Sequence, residues 1–373
     1  MKYSKDNDVL GLADYMKFGI EIEAFNVSIK ELYHGESANY INSMNWHMAS
    51  KSEEALVSKG GAKLVSPILH DTKEDWQSVI NICENMKKYP GKFGDKVVAD
   101  EKCGLHVHFD AGCLANDKEK MKNFLRIYAE GEELLYKMCN PEGQAIRKPA
   151  INKDYKGIHI ISSLWRNGMA APTGKKLLKK IEDGTLKVSN KKFGVLKKLI
   201  AKYKIDERRY VGLNLTNIGN PKKNTIEFRM ANGTIDPDEI KKNVFLYASI
   251  IKTAIDYTEN PEQYQEKIDK FFNTDVTEEE KVNNFLDLII DSPEDKQIYY
   301  DRWNSVKDNI VYAKNDKKGF APNRFNREQF KNIAYRTPLT KIKEVYEKIK
   351  RSLNLDKKIE PSKGELEYDR WYL

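Results

Sequence analysis

The sequence predicts an α+β protein, and three observations carry that expectation. Three short segments in the first two-thirds alternate strictly between apolar and polar residues, longer stretches repeat apolar residues at intervals of three and four, and strand signal nearly vanishes after about residue 260. We read an α+β domain over 1–260 and a helical C-terminal region over 261–373, with the boundary near Asn260-Pro261.

The strands come first. In Phe18-Gly19-Ile20-Glu21-Ile22-Glu23-Ala24-Phe25, the period of two puts Phe18, Ile20, Ile22 and Ala24 on one face and Gly19, Glu21 and Glu23 on the other. In Cys103-Gly104-Leu105-His106-Val107-His108-Phe109-Asp110, the apolar face is Leu105, Val107 and Phe109, opposite His106, His108 and Asp110. In Asn224-Thr225-Ile226-Glu227-Phe228-Arg229-Met230, Ile226, Phe228 and Met230 oppose Thr225, Glu227 and Arg229. Helical spacing marks 118–138, 192–203 and 238–257, the last with Pro237 near its first turn, and then 277–290, 293–307, 327–335 and 338–353. No repeat of solenoid period is visible.

Composition bounds the function class. At 373 residues, 40% of them hydrophobic and with 20 Tyr, 14 Phe and 5 Trp, the chain can bury a large core and is not globally disordered. No apolar run approaches the roughly 20 residues that span a bilayer, and the first eight residues lack the apolar stretch of a signal peptide, so a cytoplasmic protein without membrane partners is expected. Cys83, Cys103, Cys113 and Cys139 form no CxxC pair and are expected to be reduced thiols. The net charge of +8 suits anionic partners, nucleotides included. The Lys-rich stretches 175–180 and 187–198 lack interleaved aromatics, which favours solvated helix faces over nucleic-acid binding.

Each alternating strand, taken singly, is explained by an antiparallel sheet with one face on the core and one in water. Their joint content is not, because a solvated face draws on Lys, Thr, Ser and Glu rather than on paired carboxylates and paired imidazoles. Glu21, Glu23 and Glu227 held close together would repel unless cations neutralised them, which points to hard divalent ions, Mg²⁺ foremost and Mn²⁺ as its substitute. One of His106 and His108 can ligate among the carboxylates, and its neighbour can ligate too or donate to a phosphate. Arg229, on the face of Glu227, offers a planar fork for a phosphoryl group, and Gly19 and Gly104 leave space beside these side chains.

The motifs resemble the amidoligases of the glutamine-synthetase-like carboxylate–amine ligase superfamily, which includes glutamate–cysteine ligases. Phe18-Gly19-Ile20-Glu21-Ile22-Glu23, Cys103-Gly104-Leu105-His106-Val107-His108 and Thr225-Ile226-Glu227-Phe228-Arg229 carry the resemblance in the family's order. Leu64-Val65-Ser66-Pro67-Ile68-Leu69 and Arg209-Tyr210-Val211-Gly212-Leu213-Asn214 support it, so that it runs from about 15 to about 255. The resemblance implies a curved antiparallel sheet whose concave polar face holds Mg²⁺ and ATP. It implies amide formation through an acyl phosphate, between a carboxylate and an amine substrate that are amino acids, peptides or protein side chains. It further implies Glu21, Glu23 and Glu227 as metal ligands together with one of His106 and His108. Arg229 would meet the transferring phosphoryl group, and Arg209 and Asn214 phosphate or the substrate carboxylate.

Lys63 stands where the family commonly has an acidic residue. If that acid ligates metal in relatives, one metal site here is weaker, shifted or absent. Lys63 could instead meet a substrate carboxylate or phosphate or lie outside the site, and Glu53 and Glu54 could stand in for the acid. Two other readings compete. His106-x-His108-x-Asp110 matches a zinc-hydrolase pattern, but only His159 follows it and the Glu strands are left unemployed. A non-catalytic binding module on a degenerate ligase fold is the other. His34, His47 and His70, like Trp46, Trp76, Trp165 and Trp303, read as surface or core residues, with Trp165-Arg166-Asn167 a candidate lid.

Overall fold

The structure is a computed structural model that describes residues 1–3, 8–27, 44–48, 62–88, 96–99, 103–141, 212–215, 217–218 and 223–306. The strands are β1 (Phe18–Ala24), β2 (His47–Met48), β3 (Ala62–Val65), β4 (Gly104–Asp110), β5 (Leu213–Asn214) and β6 (Thr225–Asn232). The helices are α1 (Lys73–Lys88), α2 (Gly112–Ala115), α3 (Lys118–Met138), α4 (Pro237–Glu259), α5 (Pro261–Phe272), α6 (Glu278–Ile289) and α7 (Pro293–Val306). All described residues fall in one compact unit of the chain, and the residues of a second unit lie outside them.

The six strands form one sheet in the order β2-β3-β1-β4-β6-β5, every neighbouring pair antiparallel. The three strands that carry the alternating motifs therefore lie side by side, with β4 in the middle. Its apolar face is covered by helices. Phe228 on β6 stacks on Tyr247 of α4 at 4.3 Å and meets Phe124 and Tyr128 of α3 edge-on at 6.2 and 6.1 Å. Phe18 on β1 lies 5.4 Å from Trp76 of α1. Burying side chains of this size, at about 25 cal/mol per Å² of apolar surface, is what holds the two layers together.

Local sequence sets the helix starts. The Asp117 carboxylate accepts from the N–H groups of Glu119 and Lys120 to open α3, and Asp236 with Pro237 opens α4. Thr277 and Glu280 form a reciprocal capping box on α6. The later helices build a second helical layer on α3 and α4. Phe271 of α5 packs on Phe285 of α6 at 5.1 Å, Tyr299 of α7 stacks on Phe245 at 6.2 Å, and Arg302 of α7 forks onto both Glu239 oxygens at 2.7 Å.

The opposite face of the sheet departs from the ordinary expectation for an antiparallel sheet. It is not solvated: Glu23, His108 and Glu227 are 3–4% exposed, and His106 and Arg229 are 0% exposed. The burial excludes the solvated-face explanation that would serve each strand taken singly, since burying so many ionisable groups on one face is expensive unless they are paired with one another or with a ligand.

The structure reproduces 118–138 as α3 and places α4, α6 and α7 within two residues of expectation. The expected helices at 192–203, 327–335 and 338–353 lie outside the described residues. Trp46, Trp76 and Trp303 are core residues, with the indoles of Trp46 and Trp76 donating to Ser78 Oγ and Asp71 Oδ1. No disulfide joins the four cysteines. Among the described residues no helix is long and apolar enough to cross a membrane.

Candidate metal centre

Strand register assembles the polar face. Glu21 on β1 sits opposite His106 on β4, His108 opposite Glu227 on β6, Glu23 opposite Lys63 on β3, and Asn214 on β5 opposite Glu227. Between β4 and β6 the pairing slips: three steps along β6, from Phe228 to Ala231, match two along β4, from Val107 to Leu105. This bulge sets Arg229 across from His106, where its Nη1 lies 3.3 Å from His106 Nδ1 and pairs with Glu227 Oε1.

Three donors converge. One ligand atom each from Glu21, His108 and Glu227 lie within 4.8 Å of one another, all three residues buried. His108 Nε2 faces Glu21 Oε1 at 3.1 Å and Glu227 Oε1 at 3.8 Å yet makes no aligned hydrogen bond. Its other nitrogen, Nδ1, lies 3.4 Å from Thr225 Oγ1, a contact that orients the ring. His106 is turned the other way, with Nδ1 3.0 Å from Glu21 Oε2. We assign its proton to Nδ1 on that contact, which leaves a lone pair on Nε2, buried and with no hydrogen-bond partner among the described residues.

Electrostatics fix the charge states. Burial would raise the Glu227 carboxyl, but Arg229, and then His108 and His106, hold it down at about 2. Burial opposes ionisation of Glu21 as well, and the His106 hydrogen bond together with the close His108 imidazole outweighs it, so Glu21 stays well below the usual carboxylate range. Burial, reinforced by the Arg229 charge, pushes His106 down to about 4. A neutral His106 therefore holds Glu21 through a hydrogen bond rather than a full charge. Burial would strip the proton from Lys63, but Glu23 and Glu21 more than offset it, and Lys63 stays an ammonium. Two carboxylate oxygens and an imidazole nitrogen form a hard-to-borderline donor set that fits Mg²⁺ or Mn²⁺.

The family model described as "Putative amidoligase enzyme" matches residues 47–251, more than half of the chain. The chain belongs to this amidoligase family. No curated protein matches it. The matched span includes Lys63, His106, His108, Asn214, Glu227 and Arg229, and it begins after β1, so Glu21 and Glu23 join the family's residues through the sheet.

In this amidoligase the expected site residues are not all used alike. Glu21, His108 and Glu227 form the convergent set, whereas Glu23 lies on Lys63 Nζ at 3.0 Å and on the Gly104 N–H at 2.9 Å. Asn214 Nδ2 donates to Glu227 Oε2 at 2.6 Å. Arg209, Glu53, Glu54, His34, His159 and the Trp165 segment lie outside the described residues. Asp110 is drawn off into the turn that follows β4, accepting from the Gly112 N–H, and His47 and His70 are exposed. Two participants were not among the expected site residues: Lys223, which had no sequence signal, and Thr225, which alternation had set on the polar face without a role. Lys223 reaches Glu21 Oε1 at 3.2 Å from the half-exposed approach to β6, and Thr225 stands behind His108.

Proposed function

We propose that this amidoligase is an ATP- and Mg²⁺-dependent carboxylate–amine ligase, able to use Mn²⁺, that forms an amide bond on an amino acid, peptide or protein side chain. The observation that carries the reading is the convergence of Glu21, His108 and Glu227 on a buried face. A substrate carboxylate oxygen attacks the γ-phosphorus of ATP and ADP leaves. The amine then attacks the acyl carbon, the C–O bond to phosphate breaks, and the nitrogen loses its proton. When bound, Mg²⁺ would supply charge neutralisation at the phosphates.

The chain's own residues do the positioning. Glu21, His108 and Glu227 would hold the ion, Thr225 and Asn214 orient His108 and Glu227, and Lys223, which lies on Glu21 Oε1, would give way to it. Arg229, permanently charged and forked, is assigned to the transferring phosphoryl group, with Arg209 and Asn214 toward phosphate or the substrate carboxylate. The reading adopts the curved glutamine-synthetase-like form of the sheet, with the polar face concave, and use of ATP suits work in the cytoplasm. The engagement of Asp110 in a turn leaves the zinc-hydrolase pattern incomplete.

The test is ADP release by the purified chain given ATP, Mg²⁺ and a panel of acids and amines. Release that requires both an acid and an amine, with ¹⁸O passing from a labelled carboxylate into phosphate, is expected. No Mg·ATP binding and no turnover across the panel would point to a binding module, and zinc near one per chain would point to a hydrolase.

A further inference from the structure

Lys63 is the largest departure of the polar face from a plain metal site. Glu21 and Glu23 stand two residues apart on one face of β1, both buried, where unscreened carboxylates repel. The register of β3 sets Lys63 directly across from Glu23, and its Nζ lies 3.1 Å from Glu21 Oε2 and 3.0 Å from Glu23 Oε1, itself only 7% exposed. A single ammonium thus bridges two carboxylates, as a bridging cation would. The two oxygens of Glu21 are divided accordingly: Oε2 serves Lys63 and His106, and Oε1 faces His108 Nε2. Glu23 sits behind Lys63 and outside the convergent set.

We infer that the Lys63 ammonium is a tethered cation occupying the place a second divalent ion would take between Glu21 and Glu23, so that this site binds one divalent ion, on Glu21, His108 and Glu227. The inference rests on the metal-dependent reading above. Charge supports it. Among the described residues, Lys63 and Arg229 are the buried cations facing three buried carboxylates, and the remaining carboxylate charge meets the half-exposed Lys223 on Glu21 Oε1, which a divalent ion would have to displace. A second divalent ion would have to displace an ammonium seated 3.0 Å from Glu23 Oε1 and 3.1 Å from Glu21 Oε2. Chelators would not remove this cation, which is part of the chain.

The test is a Mn²⁺ titration of the EDTA-stripped full chain, without nucleotide, with free Mn²⁺ followed by electron paramagnetic resonance. The wild type binds one Mn²⁺ per chain. Lys63→Glu binds two, and adding Glu23→Gln to it returns the count to one. Should Lys63→Glu fail to fold without metal, Lys63→Gln keeps the neutral length of the side chain, and Mn²⁺ raises its Tm by more than that of the wild type. Two ions in the wild type, or one ion in Lys63→Glu with an unchanged Mn²⁺ shift in Lys63→Gln, would overturn the inference and leave the ligase reading standing. No bound Mn²⁺ in the wild type or the variants would overturn the ligase reading itself and the inference with it.

Discussion

His106 and Glu227 make the polar face sensitive to acid in a direction their environments dictate. His106 is held neutral by burial and by Arg229, with its pKa at about 4 against an ordinary 6.5. The unfolded chain therefore binds a proton there that the folded chain refuses, and stability is lost as pH falls from about 6.5 to 4. A difference of that size is worth about 3 kcal/mol. Glu227, depressed to about 2 from 4.5, extends the loss below pH 4.5. Urea midpoints of the EDTA-treated protein should fall across this window, and His106→Gln should flatten the part between 6.5 and 4. Arg229→Met leaves Glu227 buried without its guanidinium and should cost about 3–5 kcal/mol in EDTA, with part of the loss restored by Mn²⁺. Asn214→Ala removes the donor to Glu227 Oε2 and should weaken Mn²⁺ binding about 10–100-fold in a calorimetric titration.

At the scale of elements, α3 and α6 meet where a side chain would not fit. A Cβ at Gly131 would lie 2.7 Å from the ring of Phe285, which is itself fully buried. Gly131→Ala gains about 1 kcal/mol of helix propensity and loses about 1–3 kcal/mol to overpacking, so a net fall in Tm is expected, and Phe285→Leu in the same chain should recover part of it. The same scale explains what the sequence disclosed. Faces of β1, β4 and β6 were legible because a strand's period is two, and α3 was legible because its apolar residues recur at intervals of three and four, a start the structure shows capped by Asp117. Helix α5 was not, because Asn260-Pro261 reads as a break as readily as a start, yet Pro261 is the first residue of a helix. The slip that seats Arg229 opposite His106 leaves no mark on either strand alone.

For the whole molecule, the residue types of the site were readable but their division of labour was not. Which residue opposes which depends on pairing between segments far apart in the chain, Glu21 with His106 and Glu23 with Lys63. The burial of the polar face depends on the same distant contacts, so alternation could not distinguish it from a wet face. Register also separates the two histidines, turning His108 Nε2 into the carboxylates and anchoring His106 on Glu21 by Nδ1. The central claim is that Glu21, His108 and Glu227 form a metal centre on this sheet, and electron–nuclear double resonance of the Mn²⁺-loaded protein tests it most directly. A single coordinated imidazole nitrogen that survives His106→Gln and disappears in His108→Gln is predicted; bound Mn²⁺ with no nitrogen coupling, or coupling that persists in His108→Gln, would contradict it.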